Sequence, residues 1–303
     1  MKRALSLVFP WIIASTLSAW SAPPAFSTPD EAVKALKSAV AAKDATPLKQ
    51  LFGPEVEKLL DPSPEVRKES LRLIRVLLNE RWKLSQLDED RKLLRLGDEG
   101  WPFPVTLLKA ADGWRFDTAA GIEEARNRKI GTNELVNLET LTCLMLAQED
   151  YYLRDANKDG IREYCSRFAS SKGKKDGLYW EAPAGDPPSP LQASLKESAK
   201  YAVNRTKGAP WWGYRYRFLS GQGSHAAGGA YDYSVQGHQV AGWAVLAYPV
   251  SHGSSGFKTF LCNQNGLIYE KDLGPDTATA AQAIQSFDPD PSWTLVPEED
   301  LPR

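Results

Sequence analysis

The segment DANKDGIRE sets Asp155, Asn157, Asp159 and Glu163 at positions 1, 3, 5 and 9 of a loop, with Gly160 at position 6. Hard cations such as Ca2+ want several oxygen ligands, and a glycine at the sixth position permits the sharp turn that gathers them. Position 12 is Ser166, where an EF-hand carries a bidentate Glu. Two readings stand side by side. One is a structural calcium loop, with Ca2+ as the bound cation. The other is a polar Asx-type turn closing the preceding helix.

Other reactive side chains are scarce, with 3 His and 3 Cys among 303 residues. His225, His238 and His252 lie in loops or turns with no GxSxG or HExxH motif around them, so they read as ordinary exposed polar groups. Cys143, Cys165 and Cys262 show no CxxC spacing and have no histidine close in sequence. That weighs against a metal centre and against a thiol nucleophile. In an oxidising compartment two of them could pair and leave the third over, and the spacing does not say which. Asp117, in GWRFDTAAG, reads as the N-cap of the next helix or as a cavity-mouth residue beside Arg115. Trp180, Trp211, Trp212 and Tyr231 cluster with Tyr214 and Tyr216 around the loops of the second half. Flat rings of this kind bind glycan or peptide by stacking, or cover the core of a small sheet.

Composition narrows the class. Lys+Arg number 37 against 38 Asp+Glu, a net charge of −1, which lacks the basic footprint of a nucleic-acid binder. A hydrophobic fraction of 42% excludes wholesale disorder. The opening stretch has the three parts of a secretory signal: Lys2 and Arg3, an apolar run from Ala4 to Leu17, then small residues. Cleavage after Ser21 puts Ala19 and Ser21 at −3 and −1, and losing two positive charges takes the net to −1 − 2 = −3. No later segment offers the roughly 20 apolar residues of a membrane span. The expectation is a periplasmic or secreted protein.

The elements that must position these residues follow from period and punctuation. Thr28, Pro29, Asp30 and Glu31 open a helix whose apolar stripe is Ala32, Val33, Leu36 and Val40. A short helix ending at Gly53 and a third from Pro64 to Glu80 come next. Short strands are expected at Trp82–Leu87, Lys92–Leu96, Val105–Leu108 and Trp114–Phe116. The helical period returns from Ala119 to Arg154, where Gly131 is expected to kink or divide it. Leu135, Leu138, Leu141, Met145 and Leu146 are expected to line its buried face. After a Pro-rich stretch and a short helix near Gln192–Val203, the last third reads as strands. An apolar, interior one runs over Trp243–Tyr248, and a hairpin turns at NQNG. A helix near Thr277–Ser286 closes the pattern.

The stretches FSTPDEAVKAL, GWRFDTAAG, DGLYW, GYRYRFL, TFLCNQNGLIYEKDLGPDT and FDPDPSW, spread over the mature chain, resemble a bacterial family of unknown function, the uncharacterised domain family numbered 2950. That resemblance implies an exported protein and brings no biochemical role. The first half is also similar to cystatin-like, nuclear-transport-factor-like cone folds. The second half is similar to the globular heads of type IV pilins, although its helix follows a whole domain and begins with the polar GIEEARNRKIG. The fold expected is α+β. N-terminal helices and a curved antiparallel sheet come first, then a long helix packed on a second antiparallel sheet. The divisions are a leader over 1–21, a cystatin-like domain over 22–120 and a pilin-like domain over 121–303. The function expected is non-catalytic binding or surface assembly in the envelope, with envelope or pilus-like protein partners and no nucleic acid. A ligand-binding or hydrolytic pocket in the N-terminal cone is the alternative.

Overall fold

Thr28 has extended backbone and its hydroxyl accepts the Glu31 N–H (3.2 Å), while the Glu31 carboxylate accepts the Ser27 N–H (3.1 Å). This pair of reciprocal bonds satisfies orphan donors and starts helix α1, Pro29–Ala41. The computed structural model describes residues 23–42, 44–61, 63–195 and 209–302, so the expected leader lies outside the described residues. The chain divides between Ala125 and Arg126 into two compact units.

In the first unit, α1 is followed by α2 (Thr46–Phe52), a 3-10 turn (Pro54–Lys58) and α3 (Pro64–Glu80). An antiparallel sheet follows: β1 (Trp82–Gln86), β2 (Arg91–Leu96), β3 (Trp101–Pro102), β4 (Leu107–Ala110) and β5 (Gly113–Phe116). The order is β1-β2-β4-β5, with β3 paired to the far end of β2. Leu94 and Leu96, two residues apart on β2, reach the same core as Leu36, Val40, Phe52 and Phe116. The strand expected at Val105–Leu108 starts two residues later, at Leu107. Pro102 and Pro104 lack the N–H a ladder needs, and the chain bends between them and β4. The β5 edge is closed by Phe26, whose N–H and C=O both bond Trp114 (2.8 Å each). A Cβ at Gly113, whose φ is +132°, would stand 2.6 Å from the Phe26 carbonyl oxygen, so only glycine fits this approach.

Helix α4 runs over Thr118–Arg154. Asp117 caps it, accepting the Ala120 N–H at 3.1 Å. Gly131 does not divide the helix, which runs through it unbroken: nothing lies within 4 Å of where its Cβ would be, and the cost of glycine is borne without a break. The buried stripe also differs from the expected one. Leu138, Leu141, Leu144, Ala147 and Tyr151 face the core, whereas Leu135 and Leu146 are 57% and 54% exposed. They are three turns apart and share a separate face.

The second unit is built on a five-stranded antiparallel sheet ordered β12-β11-β10-β9-β6. Its strands are β6 (Tyr214–Leu219), β9 (Ala244–Pro249), β10 (Lys258–Asn263), β11 (Ile268–Asp272) and β12 (Thr294–Leu295). The small β7 (Gly221–Gln222) and β8 (Tyr231–Asp232) pair beside it. One face of the sheet, with Tyr214, Val245, Ala247, Phe260 and Cys262, packs against the α4 stripe. The other, with Leu219, Ala244, Leu246 and Leu261, is covered by Phe287, Tyr233 and Ala281 of α6 (Thr277–Ala283). Strand β9 is thus buried on both sides, which is why it reads as a continuous apolar run. Helix α5 spans Pro190–Leu195, and the rest of the helix expected there lies outside the described residues.

The buried face of α4 also carries amides. Asn133 donates to the Ser255 carbonyl (2.9 Å). Gln148, fully buried, donates to the Cys165 carbonyl (2.7 Å) and accepts the Cys165 N–H (2.8 Å). Asn137 is equally buried, yet neither of its amide atoms has a partner. An amide buried without bonds costs about 1–3 kcal/mol. Replacing Asn137 by the near-isosteric Leu is therefore expected to raise the urea midpoint of unfolding. A fall would show that the amide has partners after all.

Candidate functional site

Two places in the second unit gather the residues singled out by the sequence. The first is the loop that leaves α4. Asp155 has φ +44°, Lys158 +58° and Gly160 +86°, so the chain turns sharply and repeatedly here. Asp155 Oδ2 accepts the Gly160 N–H (3.1 Å) and Asp159 Oδ1 the Ile161 N–H (2.8 Å). The Asn157 amide donates to Asp159 Oδ2 and to Glu163 Oε1, both at 2.8 Å. His238 then joins from a turn 75 residues further on, its Nδ1 lying 3.2 Å from Glu163 Oε2 and 3.9 Å from Asp159 Oδ2. The ligand atoms of Asp159, Glu163 and His238 lie within 4.8 Å of one another. Asp155 stands outside that group of three, and its Oδ1 is buried without a hydrogen-bond partner. The His238 approach is invisible in sequence because only the fold brings the two loops together, through the Tyr164 N–H bonded to the Gln239 carbonyl (2.8 Å).

The second place is a cavity of about 940 Å3 beside the β6 edge of the sheet. Among the described residues its rings come from Phe168, Tyr179, Trp211, Tyr214, Tyr216 and Tyr248, and its polar side chains from Thr140, Glu181, Gln192, Arg215 and Arg217. Trp211 is oriented by its indole N–H, which bonds the Thr140 hydroxyl (3.1 Å). Arg217 donates to the Ala281 and Ile284 carbonyls at the end of α6, so its guanidinium serves the wall. Gln192 Oε1 is buried with no partner. Of the four aromatic residues expected to bind, only Trp211 lines this cavity. Trp180 packs against the α4 side of the core with the Lys175 ammonium over its ring (5.3 Å), Trp212 is half-buried, and Tyr231 meets Tyr233 edge-on. Tyr179, Tyr248 and Gln192 carried no sequence signal beyond their type.

Among the described residues of the first unit, a cavity of about 80 Å3 is lined by apolar residues such as Leu36, Phe52, Ile74 and Phe103. Nothing polar lines it, so a polar ligand would find no partner there.

A family model described as "Protein of unknown function (DUF2950)" matches residues 24–296. The chain belongs to this family. No curated protein and no solved structure matches it, so the cone-fold and pilin likenesses rest on element order alone. The family description assigns no chemistry, and the side chains must be read directly.

Each imidazole is bonded to a carboxylate: His225 to Asp288 (3.0 Å), His238 to Glu163 (3.2 Å) and His252 to Asp272 (2.8 Å). None of the three lines the aromatic cavity. The Asp272 carboxyl lies below its ordinary range, because the Gly274 N–H and His252 together outweigh the burial that pushes it up. No disulfide links the cysteines. The pairing considered from compartment is absent because each thiol has its own setting. Cys165 Sγ donates to the Arg167 carbonyl, Cys143 Sγ to the Ser194 carbonyl, and Cys262 is buried in β10. Burial pushes the Cys165 thiol up to about 12 and the Cys262 thiol up as well, so neither is a thiolate near neutrality. An aromatic disulfide reagent at pH 8 should therefore leave Cys165 and Cys262 untouched in the native protein and titrate all 3 cysteines only after unfolding. Rapid native labelling of either buried thiol would contradict this.

Proposed function

We propose that the protein is an exported, non-catalytic binding module of the bacterial envelope, with the aromatic cavity of the second unit as its ligand site. The observation that carries this reading is the composition of the cavity wall: among the described residues it has six rings and several hydrogen-bonding groups, with no histidine or cysteine. General acid–base or nucleophilic catalysis needs titratable groups converging on one reacting atom, and here the imidazoles are spread over separate loops. Export rests on the basic, apolar and small-residue opening of the chain. Among the described residues no helix is long and apolar enough to cross a membrane.

Protein recovered from the envelope fraction is expected to begin at Ala22. Envelope material captured by it should be released unchanged in mass, with capture lost in Trp211→Ala and kept when His225, His238 and His252 are all replaced by Ala. Captured material cleaved in a histidine-dependent way would overturn the non-catalytic reading.

A second proposal concerns the loop. Asp155, Asn157, Asp159 and Glu163 hold Ca2+ as a structural ion, replacing the Asn157 NH2 that otherwise bridges two carboxylates. The support is that this one amide is bonded to both Asp159 and Glu163, where charge from both side chains converges. A cation satisfies those oxygens better than a neutral donor does. At 100 times its Kd, Ca2+ bound only to the folded chain should add about 2.7 kcal/mol of stability. Calorimetric titration and the melting temperature should both register it, and Asp159→Ala should abolish both signals. No heat and no shift with the parent protein would refute the site.

A further inference from the structure

We infer that the corner where the α4 exit loop meets the His238 turn binds a divalent cation of the zinc class, through Asp159, Glu163 and His238. This goes beyond the calcium reading of the loop, with which it shares two carboxylates, because the third ligand is a nitrogen. Calcium and magnesium take oxygen ligands, whereas imidazole suits Zn2+ and its neighbours. Among the described residues no other three histidine, cysteine or carboxylate side chains converge in this way. His225 and His252, each bonded to a carboxylate, belong to no such group.

Distance and support both fit an ion. Ligands about 2.0–2.2 Å from a tetrahedral Zn2+ stand about 3.3–3.6 Å apart. His238 Nδ1 is 3.2 Å from Glu163 Oε2 and 3.9 Å from Asp159 Oδ2, so a small side-chain movement gathers the three atoms round one centre. A tight turn places the imidazole. Val235 and His238 exchange both backbone hydrogen bonds (2.8 and 3.0 Å), with Gln236 at φ +51° and Gly237 at +90° between them. Left-handed backbone at both central residues is the type I′ geometry, which fixes the residues on either side. Glu163 is oriented too, since its Oε2 accepts the Gln239 N–H (3.1 Å). The Asn157 NH2 on Glu163 Oε1 and Asp159 Oδ2 stays in place and holds both carboxylates from outside, as the outer partners of metal ligands do. The calcium reading, by contrast, displaces that NH2. The Asp159 and His238 side chains reach solvent, which gives the ion its way in and leaves a fourth position for water.

The test is calorimetric titration of the metal-stripped, untagged mature protein with Zn2+ and with Ca2+, and with Co2+ followed by visible absorption. Zn2+ should bind, and Co2+ should give the intense visible bands of a four-coordinate site. His238→Gln can still donate to Glu163, and it should weaken Zn2+ by more than the roughly tenfold that loss of an outer partner costs. Glu163→Gln serves as a second ligand variant should that substitution prevent folding, with circular dichroism checking each protein. Asp155→Asn keeps an acceptor for the Gly160 N–H and should leave Zn2+ affinity unchanged while weakening Ca2+. Replacing His225 and His252 by Ala should not alter Zn2+ binding. A response to Ca2+ with none to Zn2+ or Co2+ would overturn the nitrogen-ligand site and leave the calcium reading standing. Zn2+ binding with no response to Ca2+ would do the reverse, and silence with every ion would sink both. Zn2+ bound equally well by His238→Gln and Glu163→Gln would place the ion elsewhere and overturn the proposal.

Discussion

A single side-chain amide fixes the course of the chain where it leaves the long helix of the second unit. Gln148 lies on the buried face of α4 and pairs with both the N–H and the C=O of Cys165, as a neighbouring strand would. In a dry core those two backbone groups would each cost about 1–3 kcal/mol if left unpaired, so the pairing decides where the chain runs after the helix. On one side of Cys165 lie Asp159 and Glu163, and on the other Phe168, Tyr179 and Glu181. The acidic loop and the Phe168–Glu181 part of the cavity wall therefore flank one anchor. The segment between α4 and α5 has almost no regular secondary structure, and side-chain bonds such as Ser171 and Arg167 to Asp176 replace the missing ladder.

Much of the fold is legible in the sequence because local rules and burial agree. The cap at Thr28, Pro29 at N1 and the Ala32–Val40 stripe define α1 without reference to anything distant. Strand β9 announces its interior position by being apolar at almost every residue. Local reading fails where a tertiary demand overrides it. Leu135 and Leu146 count as core by type, yet the face α4 buries carries Asn133 and Gln148, whose amides bond the adjoining backbone, and Asn137, whose amide does not. Gly131 has the composition of a break, but nothing crowds the place of its Cβ and the helix continues through it.

The candidate sites were legible in part and for the same reason. The spacing Asp155, Asn157, Asp159 and Glu163 is written in nine consecutive residues, whereas His238 reaches the loop only through folding. Trp211 stands out by type, but the partners that make a cavity around it come from α4, α5, β6, β9 and the intervening loop. Scarcity of histidine and cysteine proved informative once placed. Each imidazole, on its own loop, is tied to a carboxylate, and the Cys165 and Cys262 thiols are buried.

Amide hydrogen exchange at Cys165 tests the anchor most directly. If Gln148 clamps it as described, the Cys165 N–H should exchange as slowly as those of β9 and β10, opening only with the second unit as a whole. Exchange at the rate of an exposed loop amide would mean that the clamp is not formed, and that neither site is held by it.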